Sequence, residues 1–283
     1  MKLLLERLES MAIEECIIVA ARIGDGIVFA KNRDRMYVPE VRIVRDLLDG
    51  VEVAYLEDMI TGWREGMNEF GIGVINTALM VANDEKEKKM VKKTGEKSKE
   101  GIKILSALKK KNLKDAVSSL MENKVLGHTF VGNGKEVFAI EGTSKHQHVA
   151  KKLDTAVAVV RTNHGDTYND AGYIGGDDFY SSKVRRASAE RAAEDATSAP
   201  DMLRLMRKKT HKNNSGGYLN MMRQTPKMNT TSQLAMDLAG KKMYFNALKG
   251  KVIFKGIEDQ LPEGYNPKIE IITTELLSKD RSE

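Results

Sequence analysis

The sequence predicts an α+β fold in which two mainly antiparallel sheets stack face to face with helices outside them. Short apolar runs come in pairs around glycine-bearing turns, the signature of hairpins. Two of these runs, CIIVAARI from Cys16 and IVFAKNRD ending at Asp34, are close to continuously apolar over much of their length, as in strands covered on both faces. Helical spacing is confined to separate stretches, so the order is strands, helices, strands, helix, strands, which favours stacked sheets over alternating βαβ units.

In chain order, the first hairpin turns at GDG (residues 24–26), with Cys16 opening its first strand. Strand-like runs follow at 51–55 and 72–78, and the turn-rich GMNEFG lies between them. Ile102, Leu105 and Leu108, then Leu113, Ala116, Val117 and Leu120, recur at three- and four-residue steps and predict two helices. Residues 128–131 and 137–141 around GNGK read as a hairpin, and AVAVVR (156–161) as a short buried strand. Residues 181–195, rich in Ala, Arg and Glu with serines at the start, predict a capped helix. A polar loop is expected over 208–229, then a hairpin of 230–237 with 242–247 and a last strand at 269–274.

The 283 residues suit one large domain, and 41% hydrophobic with 30% charged residues is an ordinary globular balance. The net charge of +6 is concentrated between Lys86 and Lys114, where lysines are interleaved with glutamates as on a solvated helix face. With only 6% aromatics and no arginine-rich cluster, nucleic-acid binding is not expected. No stretch reaches the ~18 apolar residues of a membrane span, and Glu6, Arg7 and Glu9 interrupt the Leu3–Leu5 trio before it forms a secretory signal. The single cysteine cannot form an intramolecular disulfide, which fits a reducing compartment, and the cytoplasm is the expected location. Five scattered histidines without paired cysteines or HExxH give no metal site, and GxxxxGK[ST], GxGxxG and GxSxG are all absent. No metal or cofactor is therefore expected.

A lone cysteine is most often a small buried apolar residue. The context of Cys16 points elsewhere. Fifteen residues later stands KNRD (Lys31, Asn32, Arg33, Asp34), and antiparallel pairing returns the end of a hairpin to its beginning, so a cation and a carboxylate come back beside the thiol. Strand alternation is expected to point Arg33 to the opposite face.

These residues resemble the opening of the cysteine N-terminal nucleophile hydrolases, which include bile salt hydrolases, penicillin V acylases, acid ceramidase-like amidases and the isopenicillin N acyltransferase group. Members share a strand-opening cysteine, a glycine-bearing turn and [R/K]-N-x-D some 15 to 19 residues on; Lys31 stands here where many have arginine. GMNEFGIGVINTAL resembles the family's G-M-N-E-x-G-L segment and places Asn76 at the site. VVRTNH resembles its T-N-x element, with Asn163. GGDDFYSSKVRR resembles its arginine-bearing segment, with Arg185 the best match and Arg186 one residue off. GHTFVGNGKEVFAIE and TTSQLAMD read like the acyltransferase-type branch.

The resemblance implies a four-layer αββα sandwich over residues 16–283, released when a 1–15 leader is removed by cleavage of the Glu15–Cys16 bond; a start at Met11 would give the same mature end. It implies Cys16 as nucleophile, with its own freed amine as base, and Asp34 to orient that amine. Lys31 and Arg185 supply positive potential that favours thiolate, and Asn163 forms the oxyanion hole, helped by Asn76 or a backbone N–H. Arg33 and Arg186 join Asn76 as substrate-binding candidates. The expected substrate is a small N-acyl amide, attacked to give a thioester that water hydrolyses. Interception by an amine would instead make an N-acyltransferase, and a catalytically silent binding domain would keep the fold alone. Self-association is left open.

Overall fold

The computed structural model describes residues 14–79, 99–208, 221–224, 228–255 and 264–273. The first half comprises β1 (Glu14–Ile23), β2 (Gly26–Arg35), β3 (Glu40–Leu48), β4 (Val51–Asp58), β5 (Arg64–Asn68), β6 (Gly73–Thr77), α1 (Lys99–Leu108) and α2 (Leu113–Glu122). Then come β7 (Gly127–Gly132), β8 (Val137–Gly142), β9 (Val149–Lys152), β10 (Val159–Arg161), α3 (Gly176–Asp195) and α4 (Ala199–Leu205). Strands β11 (Asn229–Asp237), β12 (Lys242–Ala247), β13 (Lys251–Lys255) and β14 (Glu270–Thr273) complete the described elements.

Two sheets form, in the orders β10-β1-β2-β11-β12-β14 and β13-β3-β4-β5-β6-β7-β8-β9. Among the described residues, only β12 with β14 and β13 with β3 pair in parallel. Three apolar clusters define the layers. Ile18, Ala20, Ile27, Phe29, Leu234 and Phe245 of the first sheet meet Ile43, Leu56, Met67, Ile75 and Phe130 of the second. The other face of the first sheet (Ile17, Val19, Val28, Ala30) is covered by Ala189, Ala192, Met202 and Leu203 of α3 and α4. The other face of the second (Val53, Val74, Val131) is covered by Ile104, Leu108, Ala116 and Leu120 of α1 and α2. The architecture is thus a helix–sheet–sheet–helix sandwich, as the order of elements predicts.

The first hairpin is fully paired, from Glu14 opposite Arg35 to Ile23 opposite Gly26. Its turn depends on Gly24, whose φ of 58° lies in the left-handed region that glycine enters without penalty. Because β1 and β2 are central in their sheet, both their faces are buried, which explains the continuous apolar runs. Cys16 is the third residue of β1, not its first, because Glu14 and Glu15 extend the pairing upstream.

Several expectations require correction. Strands β3, β5, β9 and β13 and helix α4 were not predicted. In β3 the inward Val41 and Ile43 flank Arg42, and Arg45 takes the next inward position, so charges on both faces masked the period; Arg42 finds Glu57 across the ladder, with its Nε 3.0 Å from the carboxylate. The presumed turn GMNEFG contributes Gly66, Met67 and Asn68 to β5, and only residues 69–72 turn. Helix α1 is phased differently from the Ile102–Leu105–Leu108 stripe: Ile104, Ala107 and Leu108 are buried, whereas Ile102 is 58% exposed. Helix α3 begins at Gly176, five residues before Ser181, so the serines lie inside it rather than capping it. Of AVAVVR only the last three residues form β10. Residues 1–13, most of the lysine-rich stretch before residue 99 and most of the 208–229 loop lie outside the described residues. Among the described residues no helix is long and apolar enough to cross a membrane.

Gly66 sits opposite Tyr55, and a Cβ added there would come within 2.1 Å of the Ala54 carbonyl oxygen and 2.6 Å of the Tyr55 Cα. Backbone in a central ladder cannot move aside cheaply. Gly66→Ala is expected to lower unfolding free energy by about 3 kcal/mol, read by chemical denaturation; an unchanged midpoint would contradict the close packing of β4 on β5.

Candidate active site

The hairpin register determines what surrounds Cys16. Glu15 lies opposite Asp34, Cys16 opposite Arg33 and Ile18 opposite Lys31. Residues opposite one another share a face, and those two apart on a strand do too. Cys16, Lys31, Arg33 and Arg35 therefore point between the sheets, while Glu15, Asn32 and Asp34 point toward α3 and α4. The expectation that Arg33 faces away from Lys31 is corrected here: a two-residue step restores the face, and both side chains reach Glu65.

Between the sheets the three cations are buried and partnered. Lys31 Nζ donates to both oxygens of Glu65 at 2.8 and 2.6 Å and to the Asn76 carbonyl at 2.5 Å. Arg33 Nε lies 3.0 Å from Glu65, and its Nη2 3.5 Å from Asp58. Arg35 Nε donates to Asp58 at 3.2 Å, and Tyr37 donates to the same oxygen at 2.8 Å. Arg35 is also the group that meets the thiol, with Nη1 3.4 Å from Cys16 Sγ. Lys31 is engaged one pair further along the ladder. The cation beside the sulfur is therefore Arg35, which the motif comparison missed although strand parity alone places it on the Cys16 face.

On the helix side, Asp34 accepts a hydrogen bond from Thr230 Oγ1 at 2.6 Å and an ion pair from Arg185 at 3.4 Å. Burial pushes the Asp34 carboxyl up to about 6; Arg185, Arg223 and the Thr230 hydroxyl oppose that shift, and Glu15 adds to it. Arg185 also pairs with Glu15 at 3.3 Å and donates to Asn163 Oδ1 at 2.9 Å. Arg223 pairs with Glu15 and donates to Ser181 Oγ at 2.8 Å, and Tyr173 donates its hydroxyl to Glu15. Ser181 and Ser182 thus act as internal polar partners of α3: Ser182 Oγ also accepts from the Asn163 backbone N–H at 3.0 Å.

Asn163 links the two faces. With its oxygen held by Arg185, its amide N–H groups point to Ala78 O at 2.8 Å and Thr77 Oγ1 at 3.3 Å, and Thr77 Oγ1 donates to Cys16 O at 3.3 Å. The structure therefore brings Cys16, Asp34, Asn163 and Arg185 together, from β1, β2, the segment after β10, and α3. It does not bring Asn76 to them. That side chain points to the far face of the second sheet, bonded to Leu126 O at 2.9 Å and Thr129 Oγ1 at 2.6 Å; its neighbour Thr77 takes the inward position. Arg186 is likewise outside the cluster, paired with Glu190 and Asp166 on a partly exposed helix face.

His164 follows Asn163, yet its ring is turned into the protein, bonded to Ser182 Oγ at 2.8 Å and Thr162 Oγ1 at 3.1 Å, and burial lowers it to about 4. It is neutral near pH 7 and hydrogen-bonded away from the thiol. Among the described residues no three His, Cys, Asp or Glu side chains converge as a metal site.

Neither the protein-family models nor the curated proteins give a match to this chain. Among solved structures, similar ones include the following two. A mutant of the conjugated bile acid hydrolase from Clostridium perfringens is 12% identical, over 82% of this chain and 89% of that one, with a TM-score of 0.47. A penicillin V acylase from Agrobacterium tumefaciens is 8% identical, over 92% of this chain and all of the other, with a TM-score of 0.43. Bile salt hydrolases and penicillin V acylases are also the groups that the Cys16 opening resembles. At this identity and TM-score, function is argued from the side chains of this chain alone.

The raised Asp34 carboxyl has a sign that stability measurements can read. Unfolded, it titrates near 3.8. Between about pH 4 and 6 the folded chain keeps a proton that the unfolded chain has lost, so stability falls over that window, and above it the ionised group costs on the order of 3 kcal/mol. Asp34→Asn, made on Cys16→Ala to keep residue 15 attached, is expected to gain in melting temperature relative to its parent as pH rises from 4.5 to 7. A difference that is flat with pH would contradict the shift.

Proposed function

We propose that this chain is a self-processing cysteine amidohydrolase acting on N-acyl amides. The observation that carries the reading is the convergence of Cys16, Asp34, Asn163 and Arg185 on the end of β1 at the Glu15–Cys16 bond, with Arg35 donating to the sulfur. The thiol is 1% exposed with residue 15 attached, so the uncleaved chain offers no open nucleophile.

In the first step the Cys16 sulfur adds to the Glu15 carbonyl carbon. The Glu15–Cys16 C–N bond breaks, the Cys16 nitrogen takes a proton, and a thioester joins the Glu15 acyl group to sulfur. Water hydrolyses it, regenerating the thiol and leaving a free α-amine. An α-amine titrates near ~7.7, so it can take the thiol proton in the next cycle. Asp34 holds that amine from the helix side, and Arg35 places a fixed positive charge beside the sulfur.

In turnover the sulfur attacks the substrate carbonyl and the oxyanion is met by the Asn163 amide, freed from Ala78 O and Thr77. The C–N bond then breaks, with the α-ammonium giving its proton to the leaving amine. Water attacks the thioester to release the acid. An amine in place of water would transfer the acyl group instead.

Intact mass of the purified chain is the direct test. Wild type is expected to lose every residue before Cys16, and Cys16→Ala to retain them. Release of amine from a panel of N-acyl amino acids and penicillin V should accompany processing. An intact wild-type chain that releases none would overturn the proposal. In the processed enzyme, Asn163→Ala is expected to lower kcat by about 10²–10³ with a smaller change in KM; a raised KM with kcat unchanged would instead assign Asn163 to ground-state binding.

A further inference from the structure

The residue removed by processing occupies a built anion site. Glu15 is 4% exposed, and its carboxylate is held by Arg223, by Arg185 at 3.3 Å and by the Tyr173 hydroxyl. Both guanidinium groups are buried, at 0% and 5% exposure. Their remaining partners are Asp34 and the neutral Asn163 and Ser181. Among the described residues the Nε of each has no hydrogen-bond acceptor. With Glu15 present, two cations face two carboxylates. Without it, two cations face Asp34 alone, and Asp34 must also hold the new α-amine. An uncompensated buried cation costs several kcal/mol, so the emptied site favours a replacement anion.

The chemistry of the thioester says which part of the substrate brings that anion. During processing, the acyl group on sulfur is Glu15 itself; during turnover it is the acyl part of the substrate, attached to the same atom. In a glutamyl residue three carbons separate the reacting carbonyl from the side-chain carboxylate. We propose, resting on the amidohydrolase reading above, that the mature enzyme prefers amides whose acyl group ends in a carboxylate at this spacing, of the glutaryl type. Arg223 is the specificity residue, with Arg185 shared between this carboxylate and Asn163.

The test uses processed wild-type enzyme and three amides of one chromogenic amine: glutaryl, succinyl and the neutral pentanoyl. Charge-assisted hydrogen bonds contribute ~1.5–3 kcal/mol, so kcat/KM for glutaryl should exceed that for pentanoyl by at least about tenfold, with succinyl between. Arg223→Gln should reduce the glutaryl-to-pentanoyl ratio at least tenfold, and Arg223→Lys should restore part of it. Calorimetry of free glutarate and pentanoate gives a second reading that needs neither turnover nor a variant. Processed wild type should bind glutarate more tightly by a similar factor, whereas unprocessed Cys16→Ala, with Glu15 in the site, should not distinguish the two. Equal binding of both acids, or hydrolysis of pentanoyl amides as fast as glutaryl ones, overturns this inference and leaves the amidohydrolase reading intact. A wild-type chain that neither loses its leader nor hydrolyses any amide overturns both.

Discussion

The pairing of β1 with β2 is the constraint on which the rest depends, because its register decides which charged groups share a face with the thiol. Ten residues of each strand are paired without a bulge. A slip by one residue would send Cys16 to the helix layer and bring Glu15 between the sheets, among the apolar contacts of Ile18 and Phe29. Seven polar side chains around this hairpin, Glu15, Lys31, Asn32, Arg33, Asp34, Arg35 and Arg185, are less than 5% exposed. Burial of that kind is tolerated only when every charge finds a partner, and partners are found in this register alone: Glu65 and Asp58 from the second sheet, Arg185 and Arg223 from the helix side.

The register also resolves an apparent difficulty. Sulfur and carboxylate project from opposite faces of the sheet, Cys16 inward and Asp34 outward, so no side-chain contact joins them. The backbone nitrogen of Cys16 lies in the plane of the sheet between the two faces. As a free amine it can reach the thiol through its own Cα and Asp34 from the other side. A side-chain base would have to sit on the thiol face, which Lys31, Arg33 and Arg35 already fill with cations. This separation gives a physical reason for the proposed use of the α-amine as the base.

Much of this was visible in the sequence, for reasons particular residues make clear. The first hairpin follows from apolar runs around a glycine turn, the last from its strand-like runs around AGK and helix α2 from its three- and four-residue spacing, and Cys16, Asp34, Asn163 and Arg185 stand in short motifs whose order along the chain is itself informative. Strands β3 and β5 were hidden because arginines and glycines occupy positions where the second sheet supplies a counter-charge or a close backbone neighbour. Asn76 was misplaced for a related reason: the pleat turns Thr77, not Asn76, toward Cys16. Arg223 and Tyr173 belong to no motif and meet Glu15 only through tertiary packing. Arg35 is different, since counting by two from Lys31 would have found it.

The two faces of the hairpin differ in what the proposed processing would leave behind. Between the sheets, Lys31, Arg33 and Arg35 are tied to Glu65 and Asp58, carboxylates that belong to the body of the domain and stay in place. On the helix side, half of the negative charge belongs to Glu15, the residue that the proposed cleavage removes. A cation network anchored on permanent partners positions the sulfur and holds its surroundings rigid. A network balanced by a partner that the proposed cleavage removes would become a receptor for another anion. Glu15 is the internal counter-ion of two buried guanidinium groups, those of Arg185 and Arg223. On the proposed mechanism, its removal would leave their donors and an unmet charge for the acyl group that next occupies the sulfur.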